Sequence, residues 1–161
     1  MTIRFILNGD DVELVTGAEV SLLAILREHF HLYGAKCGCM RGSCGVCSVI
    51  FNGAVCPSCL IPAFKVRNSE IITFEGFSQT VEYADIKGGF TRAGVELCGY
   101  CSAGKYLAAA TLLDRVVRPE KDDFLNAFRG IRCRCTESEN LYAGIVAAGE
   151  LRQQRIYGRI P

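Results

Sequence analysis

Lys36-Cys37-Gly38-Cys39-Met40-Arg41-Gly42-Ser43-Cys44-Gly45-Val46-Cys47 is the stretch from which the rest of the chain can be read. So many glycines and cysteines rule out a regular helix or strand. The loop contains Cys39-x4-Cys44-x2-Cys47, and Cys59 follows after eleven intervening residues in Pro57-Ser58-Cys59-Leu60. C-x4-C-x2-C with a distant fourth Cys is the plant-type [2Fe–2S] spacing. The chemistry fits it. Two irons bridged by two sulfides need four thiolates in a compact shell; one loop supplies three and a neighbouring hairpin the fourth. Gly38, Gly42 and Gly45 let the backbone wrap tightly, so that N–H groups can point at sulfur. Lys36 and Arg41 read equally well as charge compensation or as solvated loop cations.

Outward from the loop, residues 1–76 read as strands crossed by one helix. Ile3–Leu7 and Val12–Val15 flank Asn8-Gly9, a hairpin signal. Val49–Phe51 and Ala54–Cys56 flank Asn52-Gly53 in the same way, and Ile71–Phe74 reads as one more strand. Ser21–Phe30 carries apolar residues at 22, 23, 25, 26 and 30, a helical stripe. This pattern predicts a ferredoxin-like β-grasp domain. Residues 77–161 change to helical character. Helices are expected over Tyr106–Val117 with Ser102 as N-cap, Asp122–Phe128 and Leu141–Arg155. A further helix around 80–93 is interrupted on paper by Gly88-Gly89, and Gly76–Gln79 reads as the linker. The expected fold class is α+β: a β-grasp domain, 1–76, then a helical bundle, 77–161.

The helical half has its own cysteines. Cys98-x2-Cys101 is followed, after 31 intervening residues, by Cys133-x-Cys135. Taken alone, two such pairs suit zinc or iron–sulfur. Cys101 would begin a helix, and Cys133 and Cys135 would sit in the turn before another. Cys37 and Cys56 are left over and read as packed, non-ligand thiols. His29 and His31, the only two histidines, read as surface residues.

Composition narrows the function. Eighteen basic against 17 acidic side chains, without a basic run, argue against nucleic acid. No apolar run approaches the roughly 18–20 residues of a membrane span. The short apolar N-terminus, ended by Asp10-Asp11, does not read as a signal peptide. A cytoplasmic chain is expected, and ten cysteines in a reducing compartment point to metal rather than disulfides. No GxGxxG, P-loop or Ser/His/Asp set appears. Two one-electron centres without a substrate site describe an electron conduit.

These motifs together resemble the iron–sulfur subunit of the molybdenum hydroxylases, the xanthine dehydrogenase and aldehyde oxidoreductase family. The resemblance rests on the loop at 36–47, Pro57–Leu60, Ile72-Thr73-Phe74-Glu75-Gly76, Cys98-Gly99-Tyr100-Cys101 and Cys133-Arg134-Cys135-Thr136. It covers essentially the whole chain. It implies two [2Fe–2S] clusters, one on Cys39, Cys44, Cys47 and Cys59 and the other on Cys98, Cys101, Cys133 and Cys135. It also implies a molybdopterin-binding large subunit and an FAD-binding medium subunit as partners. Electrons would run from molybdenum through the helical cluster, then the β-grasp cluster, to FAD, with no substrate-transforming site on this chain. Leu97 and Cys135 would lie near the pterin.

Some positions depart from the family pattern. Leu97 stands where a pterin-bonding Gln is usual, and Ser102-Ala103-Gly104 where Thr-Pro-Gly is usual. Gly130–Ser138 replaces the usual Gly-Asn-x-Cys-Arg-Cys-Thr-Gly-Tyr. The departures imply a partner that holds its cofactor differently or has lost the pterin. A free two-cluster ferredoxin-like carrier is the alternative, and a zinc-stabilised interaction protein is a third reading.

Overall fold

A computed structural model describes residues 1–158 of the chain. Strand β1 (Thr2–Leu7) pairs antiparallel with β2 (Asp10–Val15). Asn8 and Gly9 join them with φ of +54° and +93°, the left-handed pair that a tight hairpin requires. Helix α1 (Leu22–Ala24) is capped by Ser21, whose Oγ accepts from the Ala24 N–H, and it passes into a π-helical turn, Ile25–His29. After the cysteine loop come β3 (Ser48–Phe51) and β4 (Ala54–Pro57), joined at Asn52-Gly53. A 3-10 turn, Ser58–Leu60, carries Cys59. Short α2 (Ala63–Val66), β5 (Glu70–Ile72) and α3 (Phe74–Phe77) follow. The long helices are α4 (Val81–Arg92), α5 (Ser102–Arg115), α6 (Lys121–Phe128) and α7 (Ser138–Tyr157).

The five strands form one mixed sheet in the order β2-β1-β5-β3-β4, with β1 and β5 parallel. This is the β-grasp arrangement, and the helices after it complete the expected α+β layout. Alternation along β1 buries Ile3, Phe5 and Leu7 in the same core as Leu22, Leu23, Ile25 and Leu26 of the crossing helix. β3 is buried on both faces. Val49 joins that first core, while Ile50 points the other way and joins the helical core with Leu107, Leu112 and Leu113. The back of the sheet is therefore covered by α5. Each half is small for a hydrophobic core of its own, and this shared face enlarges both.

Several elements differ from the sequence expectation. The helix expected over Ser21–Phe30 forms, but most of it is π-helical. The strand expected over Ile71–Phe74 stops at Ile72. The cause is Asn8: its Oδ1 accepts from the Thr73 N–H at 2.8 Å and its Nδ2 donates to Thr73 Oγ1 at 3.1 Å, drawing Thr73 off the ladder. The stretch read as a linker begins inside α3, and Phe77 is buried in the helical core.

Gly88-Gly89 do not interrupt α4. A Cβ at Gly89 would lie 2.4 Å from both Ala148 N and Gly144 O, so this glycine marks the close crossing of α4 and α7. Ser102 is the first residue of α5 rather than its cap; Cys101 occupies the cap position. The last two helices form slightly longer than expected, and α6 starts with a reciprocal capping box between Glu120 and Asp123. Among the described residues no helix is long and apolar enough to cross a membrane.

Candidate metal centres

The loop between α1 and β3 takes its shape from backbone dihedrals. Met40, Gly42 and Gly45 have φ of +55°, +72° and +74°. The loop coils back on itself, and its N–H groups converge on sulfur. Arg41 and Ser43 donate to Cys39 Sγ at 3.5 and 3.2 Å, and the Cys39 N–H reaches Cys44 Sγ at 3.5 Å. Cys47 enters β3, where its carbonyl accepts from both the N–H (3.1 Å) and the hydroxyl (2.7 Å) of Ser58. That pair of bonds holds Cys59 on the 3-10 turn beside Cys47.

The thiols of this loop interact as neighbours. The Ser43 hydroxyl and the Arg41 N–H draw Cys39 down to about 6, and Cys44 adds to the effect. Burial and the adjoining Cys47 thiol push Cys59 up to about 11. Cys39 thus associates with Cys44, and Cys47 with Cys59. The second group shows the same arrangement. Burial raises Cys101 to about 11, with the Cys133 thiol adding to it. Burial also opposes ionisation of Cys133, but the Lys105 ammonium and the Cys135 N–H overcome it and bring Cys133 to about 6. The Tyr100 N–H and the Cys135 thiol lower Cys98, and Cys98 in turn raises Cys135.

Within the first group Cys39 interacts with Cys44, and Cys59 with both Cys47 and Cys39; within the second, Cys98 interacts with Cys135 and Cys133, and Cys101 with Cys133 and Cys98. Among the described residues no three His, Cys, Asp or Glu side chains gather as one mononuclear ion would need. Two thiols per iron on each of two irons is the demand of a [2Fe–2S] cluster. The donor set and the backbone N–H cradle fit that group. Cys101 caps α5, so the positive end of a helix faces the second group.

The two cysteine loops touch. The Arg132 N–H donates to the Cys44 carbonyl at 3.1 Å. A Cβ at Gly45 would meet Gly130 O at 2.6 Å, and one at Gly104 would meet Gly45 O at 2.6 Å. Thr136 Oγ1 donates to Glu96 O at 3.0 Å and ties the CxC segment to the approach of the CxxC segment.

The remaining candidates sort as follows. Leu97 is half-buried against the helical core, while Cys135 is exposed. His29 and His31 are both exposed, as expected. Cys56 is half-buried and its thiol is raised by burial. Cys37 is exposed, not packed as expected. Arg41 is exposed, and neither it nor Lys36 donates a side-chain hydrogen bond to a thiol among the described residues. Sequence reasoning missed Lys105, which is fully buried with Nζ 3.1 Å from Cys133 Sγ. A lone lysine in an Ala/Leu-rich helix carries no signal of that contact.

Known proteins resemble this chain along most of its length. Residues 5–71 match the 2Fe-2S iron-sulfur cluster binding domain, and residues 73–147 match a [2Fe-2S] binding domain. The nicotinate dehydrogenase small FeS subunit of Eubacterium barkeri is 38% identical, over 93% of this chain and 96% of that one. The aldehyde oxidoreductase of Megalodesulfovibrio gigas, a much longer chain, is 34% identical over 88% of this chain and 16% of its own length. A chain in the crystal structure of quinoline 2-oxidoreductase from Pseudomonas putida 86 superposes with a TM-score of 0.85 at 32% identity, covering 95% of this chain and 96% of that chain.

Proposed function

Because the chain belongs to the iron–sulfur subunits of the molybdenum hydroxylase family, we propose that it is the electron-transfer subunit of an oxidoreductase complex, carrying two [2Fe–2S] clusters between a molybdopterin subunit and an FAD subunit. The observation that carries this reading is a pair of cysteine loops, hydrogen-bonded to each other, whose backbone N–H groups converge on the sulfurs of Cys39, Cys44 and Cys133.

In this reading Cys39 and Cys44 hold one iron and Cys47 and Cys59 the other, on the unit formed by residues 1–76. Cys98 with Cys135, and Cys101 with Cys133, hold the two irons of the unit formed by residues 77–161. Each cluster, when bound, accepts and returns one electron. The protein holds the thiolates, buries Cys47 and Cys101 and aims N–H donors at sulfur, all of which set the potential. The pterin side is assigned to Cys135, whose thiol is exposed. The Leu97 side chain, next in sequence to Cys98, offers no hydrogen bond, so a pterin there relies on other contacts.

Substrate chemistry is assigned to a partner chain. Both histidines are exposed beyond α1, and the chain's having only two leaves little acid–base machinery at the clusters. A reducing, cytoplasmic setting suits thiols that must stay available for iron.

EPR of the dithionite-reduced complex, with iron and sulfide analysis, tests the reading. Two distinct [2Fe–2S] signals and about four irons per chain are expected. One signal with zinc beside it would sink it. A chain that purifies alone with both clusters would instead be a free carrier.

A further inference from the structure

Lys105 lies in the first turn of α5, and it is the one charged side chain fully buried among the described residues, 1% exposed. It lines a cavity of about 180 Å³ whose walls are partly apolar, with Phe124, Phe128 and Leu141, and partly polar, with Arg129, Thr136 and Ser138, none of them an anion. No ion pair among the described residues includes it. Its Nζ has one hydrogen-bond partner, Cys133 Sγ at 3.1 Å. An ammonium in such surroundings is costly unless an anion faces it. It also sits at the positive end of its own helix, which adds to the cost. A neutral thiol would not compensate it. A permanently anionic centre on Cys133 would.

The other cysteine loop has no such cation. Its sulfurs receive backbone N–H donors from Cys39, Arg41 and Ser43. The two halves therefore differ by one buried positive charge, placed against a ligand of the helical group.

We propose that Lys105 tunes the helical-domain cluster, acting through Cys133 to raise its reduction potential above the value that backbone donors alone would set. The proposal rests on Cys133 being a cluster ligand. One electron enters and no proton is needed. The cluster with its four thiolates is anionic when oxidised and gains one further negative charge when reduced. A fixed ammonium beside a ligand sulfur stabilises the more negative state more strongly, and its N–H donation draws electron density from that sulfur. The same electron later leaves to the neighbouring cluster, so Lys105 makes the helical centre a readier acceptor and a more reluctant donor.

The test is an EPR-monitored redox titration of the intact complex carrying Lys105→Met, Lys105→Gln or Lys105→Arg. A Cys135→Ser variant assigns the helical signal by its altered line shape. Two signals in the unmutated complex establish the underlying reading, and a single signal would overturn that reading and the proposal together. With Met or Gln, the helical cluster should become at least about tenfold harder to reduce, roughly 59 mV for a one-electron couple. The other cluster should stay within about threefold, and Arg should hold the helical potential within about threefold. An unchanged helical potential in the uncharged variants overturns the proposal. So does an equal shift of both clusters, or an Arg shift as large as the Met shift, since each signals altered packing rather than lost charge. If both uncharged variants lose the helical iron while Arg retains it, the charge holds the cluster rather than setting its potential, and the proposal fails.

Discussion

The backbone N–H of Arg132 donates to the carbonyl of Cys44 at 3.1 Å. Cys44 belongs to the first cysteine group and Arg132 adjoins Cys133 of the second. Two loops almost ninety residues apart in sequence are thus joined by a bond that has a proposed cluster ligand at one end and the neighbour of another at its other end. Gly45 and Gly104 make the approach possible, since a side chain at either would strike the facing backbone.

Gly104→Ala should part these loops. Its Cβ would sit 2.6 Å from Gly45 O, and backbone cannot yield as a side chain can. A loss of about 1–3 kcal/mol is expected for such overpacking. Denaturant unfolding measures it, and EPR should show both signals perturbed by the one substitution. Perturbation of only the helical signal would mean the junction is not shared.

The α4–α7 crossing offers a paired comparison. Gly89→Ala places a Cβ 2.4 Å from Ala148 N, whereas Gly149→Ala, where α7 faces α5, meets the end of the Leu113 side chain at 3.3 Å and Val117 O at an ordinary 3.5 Å. The first should cost about 1–3 kcal/mol and the second less than about 1 kcal/mol. Thermal melts of the two variants, read side by side, check this.

Metal removal exposes the thiol pairs to pH. Hydrogen bonds from Ser43 and Arg41 lower Cys39 to about 6 from an ordinary 9.0. A lowered group contributes stability above the unfolded value and loses it as pH falls through the folded value, so this contribution fades between 9 and about 6. Burial raises Cys59 and Cys101 to about 11. Their contribution is full below 9 and is lost as pH rises through about 11. Alkylation of the metal-free protein at pH 7.5, followed by mass spectrometry, should label Cys39 ahead of Cys59 and Cys101. Equal labelling of all three would contradict the assignment.

Ligand and spare cysteines should separate cleanly. Cys37→Ser and Cys56→Ser should retain both EPR signals and the full iron content. Cys59→Ser or Cys101→Ser should lose or alter one signal and leave the other. Iron analysis of the four variants checks the set. Loss of a cluster in Cys56→Ser would move Cys56 into the ligand shell.

Much of this was legible in the sequence because cluster binding imposes local spacing. Cys39, Cys44 and Cys47 lie on one loop, and the Asn8-Gly9 and Asn52-Gly53 turns adopt the left-handed dihedrals that those residues favour. The long helices followed from apolar stripes. Elements whose ends depend on distant atoms were misread. Ile71–Phe74 ends early because Asn8, 65 residues away, bonds Thr73. Gly88-Gly89 read as a break because their partner, α7, lies almost sixty residues downstream.

By itself the sequence determined the two metal motifs, the change from β-grasp to helical bundle and the family, because ligand spacing, turn chemistry and hydrophobic period are properties of neighbouring residues. Only the tertiary structure decided that the two cysteine loops meet, with Arg132 bridging to Cys44, and that Lys105 is buried against Cys133. Those facts depend on close approach between segments far apart in the chain, and burial turns a contact that water would screen into one that sets the energy of a charge.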